Sequence, residues 1–167
     1  MLAAVIIMHL NIGCKMKKVL PKTTQEGLNT FGVKINGKVW LPVQKLSVLG
    51  SGPKLDSDYY EDIGLLGITA KNGTNDEVLQ LTVLDVRSVG SYSFNIDSKR
   101  GSATEYNGKL VDDRYFPYAG GISKINITKL DTVNKIVAGT FEVQLKGKNN
   151  GIIKNLTQGI FDLKYDN

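Results

Sequence analysis

The residues able to do chemistry in this chain are few. Its single cysteine, Cys14, and its single histidine, His9, both lie near the N-terminus. A Cys/His zinc site takes three or four such ligands, so it is excluded by count, as is an intrachain disulfide. The body of the chain also lacks the histidine that a Ser-His-Asp or Cys-His pair requires. No metal and no cofactor is expected. What remains is carboxylate chemistry. Asp56, Asp58, Glu61 and Asp62 crowd one stretch, and Asp112 and Asp113 form a second pair. A glycosidase needs two carboxyl groups roughly 5–9.5 Å apart across a cleft, whereas acids crowded into one segment usually face water. Calcium takes six to eight oxygens, and Asp56–Asp62 lacks the glycine and terminal glutamate of an EF-hand loop. The stretch from Ser47 to Asp62 therefore reads as an irregular, solvated acidic loop. Gly50-Ser-Gly-Pro53 echoes a phosphate cradle, but no P-loop lysine or helical period follows it.

One further loop has chemical variety. Asp112-Asp-Arg-Tyr-Phe-Pro-Tyr-Ala-Gly-Gly121 places Arg114, Tyr115, Phe116 and Tyr118 together as ligand-binding candidates. Aromatic faces stack on sugars, and an arginine grips anions. The same aromatics serve equally to close the end of a small β core. On either reading they are expected at one rim of the β structure.

Cys14 carries chemistry of another kind. Leu2 to Gly13 is mostly apolar, interrupted by His9 and Asn11. Twelve residues are too few for a membrane span, which needs about 20, but suit the apolar region of a signal peptide. A small residue immediately before the cysteine, at the end of an apolar run, resembles a bacterial lipobox. In that scheme residues 1–13 are removed and Cys14 becomes an acylated first residue. A buried or idle thiol is the alternative. Lys15 to Asn29 has no sustained period and reads as a flexible tether, 14–29, making few contacts with the domain that follows.

The elements that would position these groups are strands. Phe31, Val33 and Ile35 alternate before Asn36-Gly37, the strongest short hairpin signal, and Lys38 to Pro42 follows. Further strands are expected at Leu65–Ala70, Glu77–Val86, Gly90–Ile96, Ala103–Leu110 and Ile122–Leu130. The last hairpin runs from Val137 to Tyr165. In it Gly139-Thr-Phe-Glu-Val-Gln-Leu145 and Gly159-Ile-Phe-Asp-Leu-Lys-Tyr165 each follow a glycine with strict apolar/polar alternation. Period two marks a strand with one face in a core and one in water. Leu156 and Phe161 are out of phase by one residue, which a β-bulge near Gly159 would restore. About nine strands and no helical pattern give an all-β single domain, 30–167, built as an antiparallel sandwich or closed barrel.

Thr24-Gln-Glu-Gly-Leu-Asn-Thr-Phe-Gly32 and Ile35-Asn-Gly-Lys-Val-Trp40 resemble the opening of small uncharacterised lipoproteins of the Bacteroidota, whose domains have unknown function. Ile125-Asn-Ile-Thr-Lys-Leu-Asp131, Gly139-Thr-Phe141 and Thr157-Gln-Gly-Ile-Phe161 resemble their ending. These motifs are structural, and no catalytic residue carries over. The resemblance implies an exported, lipid-anchored β domain of the cell envelope. In such lipoproteins acidic residues just after the cysteine accompany transfer to the cell surface. Here Lys15, Lys17 and Lys18 stand in those places, implying a periplasmic orientation.

Charge points away from nucleic acid. The net charge is +5, but four lysines and Glu26 precede the first strand. Of the 21 basic and 16 acidic residues, 17 and 15 remain in the body. A nucleic-acid binder concentrates basic charge on its folded surface. Three functions are expected in descending order: a non-catalytic, lipid-anchored binding or accessory module with an envelope protein or glycan partner; a carrier of an apolar or glycan ligand inside a barrel; and a hydrolase using paired carboxylates.

Overall fold

The computed structural model describes residues 18–45, 52–94, 104–108 and 114–167. Cys14, the apolar segment before it, and Asp112 and Asp113 lie outside the described residues.

Among the described residues eleven strands form one antiparallel sheet. They are β1 (Thr30–Ile35), β2 (Lys38–Trp40), β3 (Leu55–Tyr60), β4 (Leu65–Asn72), β5 (Glu77–Val83), β6 (Gly90–Tyr92), β7 (Glu105–Asn107), β8 (Arg114–Pro117), β9 (Ser123–Asp131), β10 (Ile136–Gly147) and β11 (Ile153–Lys164). The all-β, antiparallel architecture is the one the alternation predicts, and among the described residues there is no helix. The sheet runs β2-β1-β11-β10-β8-β7-β5-β4-β3, and it forks at β10. The first part of β10 pairs with β9, which carries β6 on its far side, while Leu145, Lys146 and Gly147 pair with β8. The whole curls into a half-barrel. Edge strand β3 comes round to the end of β11, where Ser57 Oγ donates to the Lys164 carbonyl at 3.0 Å and Asp166 N donates to the Ser57 carbonyl at 3.2 Å.

Two strands exceed the expected nine. β3 occupies the stretch expected to be an acidic loop. Its period is Leu55, Ser57, Tyr59 inward and Asp56, Asp58, Tyr60 outward, and a serine at an inward position conceals the alternation. β8 occupies the expected aromatic loop, again with alternating burial.

The long hairpin of β10 and β11 is the centre of the core. Phe141 pairs with Gly159, and Phe161 pairs with Gly139, so each ring lies over the glycine of the opposite strand. A Cβ at either glycine would collide with that ring. Two residues of β11, Thr157 and Gln158, oppose Glu142 alone, with Gln158 at φ 53°. This is the expected bulge, and it turns both Leu156 and Phe161 inward at 1% and 0% exposure. Phe31 and Phe94 pack on Phe141 with ring centroids 5.6 and 6.2 Å away.

The expected flexible tether is corrected by the packing of its described part. Residues 18–29 lie on the domain as a strap. Leu20 and Pro21 sit against Gly32, where a Cβ would strike both. Farther on, the Asp162 carboxylate accepts Thr24 Oγ1 at 2.6 Å and the backbone amides of Glu26, Gly27 and Leu28 at 3.1, 2.7 and 3.3 Å. Asp162 points to the outer face of β11, yet is fully buried beneath this strap. The binding is polar and made by one distant side chain, so no apolar period announces it.

Candidate functional site

The four ligand-binding candidates lie near one end of the half-barrel but do not share one face. Strand alternation divides them. Tyr115 points inward and is 3% exposed, whereas Arg114 and Phe116 face outward. On the outer face the Arg114 guanidinium lies 5.1 Å from the Phe116 ring centroid and is ion-paired with Glu105. Lys146, directly across from Phe116, reaches 6.0 Å from the ring of Tyr118. Arg114, Phe116, Lys146 and Tyr118 therefore make a surface row that alternates cation and ring.

Behind this row, Tyr115 belongs to an inward cluster at the end of the half-barrel bearing the β4–β5 and β10–β11 turns. Lys154 stands opposite Leu145 and so points inward. Its ammonium lies 4.4 Å from the Tyr115 centroid and 5.1 Å from that of Tyr106, two rings only 5.9 Å apart. Tyr106 donates its hydroxyl to Glu77 Oε1 at 2.7 Å, and Trp40 donates Nε1 to Glu77 Oε2 at 2.7 Å. Five residues from five strands thus form one polar and aromatic lattice. Sequence reasoning missed Trp40, Glu77, Tyr106 and Lys154 as a group, since Trp40 and Glu77 alone are 37 residues apart. A cation seated on two rings and a carboxylate held by two ring donors are already engaged; the arrangement suits binding and rigidity more than proton transfer.

The acidic candidates are also placed. Asp56 and Asp58 point outward from β3. Burial, and then the nearby carboxylates of Asp56 and Asp166, push the Asp58 carboxyl above its usual range. Glu61 and Asp62 occupy the following turn, where their carbonyls accept Arg87 Nη1 at 2.6 and 3.1 Å. Among the described residues no group of three Asp, Glu, His or Cys side chains could hold a metal ion.

Fold and site together define an antiparallel β half-barrel domain with a side-chain-filled interior and a cation–aromatic surface row. No family model matches the chain, and no curated protein or solved structure matches it. No helix among the described residues is long and apolar enough to cross a membrane.

Proposed function

We propose that the protein is a non-catalytic binding or accessory module of the cell envelope, anchored by lipid at Cys14 on the periplasmic side, and akin to the small Bacteroidota lipoproteins its motifs resemble. The observation that carries this reading is the strap. A chain that leaves an acylated cysteine and is bound to the domain within a few residues transmits the anchor directly to the fold. The commitment of carboxylates elsewhere supports a role without catalysis: Asp162 is occupied by the strap, Glu77 by Trp40 and Tyr106, Glu105 by Arg114, and Asp76 by Lys45. A carrier would need an internal cavity of about 300 Å³ or more. Phe94, Phe141, Phe161, Leu145 and Leu156 fill the centre at 2% exposure or less, which favours the plain module. Its envelope protein or glycan partner would meet the outer row of Arg114, Phe116, Lys146 and Tyr118.

The test is fractionation of the native host. Wild-type protein is expected in the membrane fraction with acyl chains on Cys14 by mass spectrometry, and Cys14→Ser protein in the soluble fraction. Retention of Cys14→Ser in the membrane would remove the anchor.

A further inference from the structure

We infer that the domain docks on an anionic bilayer through the face where the strap begins, using Lys18, Lys54 and Lys71 around an apolar patch that includes Val19, Pro21 and Pro42. This rests on acylation of Cys14, and it adds a surface and an orientation that acylation alone does not specify.

The first ground is reach. Leu20 and Pro21 are seated on Gly32, so the chain is fixed to the domain six residues after Cys14. Six residues span at most roughly 20 Å when fully extended. With an acylated cysteine at the bilayer interface, the strap's first contact stays within that distance of the headgroups. A tether of sixteen residues, 14–29, would have left the domain free to turn; this one does not.

The second ground is the composition of the face brought near. A depression of about 280 Å³ is lined by Val19, Leu20, Pro21, Leu41, Pro42 and Lys54. Lys54 also borders a neighbouring depression of about 230 Å³ lined by Lys45, Lys54, Lys71, Asp76 and Glu77. Lys45 is paired with Asp76 at 2.7 Å, but Lys18, Lys54 and Lys71 make no ion pair among the described residues. Val19 is 65% exposed. Half-buried apolar side chains edged by lysines match a surface of acyl chains beneath anionic headgroups.

The third ground is charge at the other pole. The turns at the far end of β3 and β9 carry Glu61, Asp62 and Asp131, but Asp131 pairs with Lys129 at 3.3 Å, Arg87 lies on the Glu61 and Asp62 carbonyls, and Lys135 lines the same depression. That end offers no surplus of cations, so an anionic bilayer favours the lysine face over it.

The experiment uses the full acylated protein in vesicles of phosphatidylethanolamine and phosphatidylglycerol. Environment-sensitive probes are attached through Pro53→Cys, on the lysine face but distant in sequence from the anchor, and through Val133→Cys, in the turn between β9 and β10 at the opposite end. A bilayer-embedded quencher is expected to quench the probe at residue 53 several-fold more than that at residue 133. Lys54→Glu with Lys71→Glu, or replacement of the lipid by phosphatidylcholine, is expected to bring residue 53 down to the level of residue 133. Equal quenching of the two probes in protein that co-floats with the vesicles would overturn the docking face and leave the anchor intact. Protein that fails to co-float would overturn both.

Discussion

Asp162 shows how one residue serves two structures. It sits between Phe161 and Leu163, whose side chains enter the core, and it faces the other way. Burial by itself would raise its carboxyl; the hydrogen bonds from Thr24, Gly27, Glu26 and Leu28 outweigh it and hold the group below the ordinary carboxylate range. Because the folded value is lowered, the strap's contribution is fully present above about pH 4, the unfolded value, and is lost as pH falls through the lower folded value. Asp162→Ala leaves buried amide donors without an acceptor and is expected to cost about 2–4 kcal/mol at neutral pH. Urea titrations at pH 7 and pH 3 would show this loss shrinking at the acid end. An equal loss at both would disprove the ionised acceptor.

At the scale of elements, the hairpin of β10 and β11 and the strap divide the stabilisation between them. Phe141→Ala is expected to cost about 3–5 kcal/mol, since it opens a cavity among Phe31, Phe94 and Gly159. Gly159→Ala should cost about 1–3 kcal/mol by overpacking the same ring from the opposite strand. Chemical denaturation would measure both, and a change below about 0.5 kcal/mol in either would contradict the ring-over-glycine arrangement. The strap has a test of its own. Protein beginning at Thr30 loses the Asp162 contacts, and its melting temperature is expected to fall by roughly 5–10 °C against protein beginning at Lys18. An unchanged melt would restore the segment to the standing of a free tether. The boundaries of the hairpin were legible because glycine, aromatic and alternation recur in both strands. The strap was not, because its attachment is a carboxylate more than 130 residues away.

In the whole molecule, curvature decides which residues meet. Tyr106 and Tyr115 are direct partners on neighbouring strands, but Trp40 of β2 stands six places from Glu77 of β5 in the sheet order, and only the curl of the sheet brings those two together. Glu77→Ala is expected to cost about 1–3 kcal/mol by leaving two buried ring donors unpaired. Trp40 is the only tryptophan, so its emission reports the change directly, and an unaltered spectrum would argue against the Glu77 bond. Sequence alone determined the all-β class, the Asn36-Gly37 hairpin with φ of 49° and 79°, the burial of Phe141 and Phe161, and the need for a bulge before Gly159. These follow from period-two alternation and turn chemistry, which act over a few residues. The tertiary structure alone decided that Tyr115 leaves Arg114 and Phe116 for the core, that the acidic stretch is a strand, and that the segment from Leu20 to Leu28 is bound to the domain. Those outcomes depend on which strand lies beside which. Contacts between residues far apart in the chain fix that, and local pattern carries no record of them.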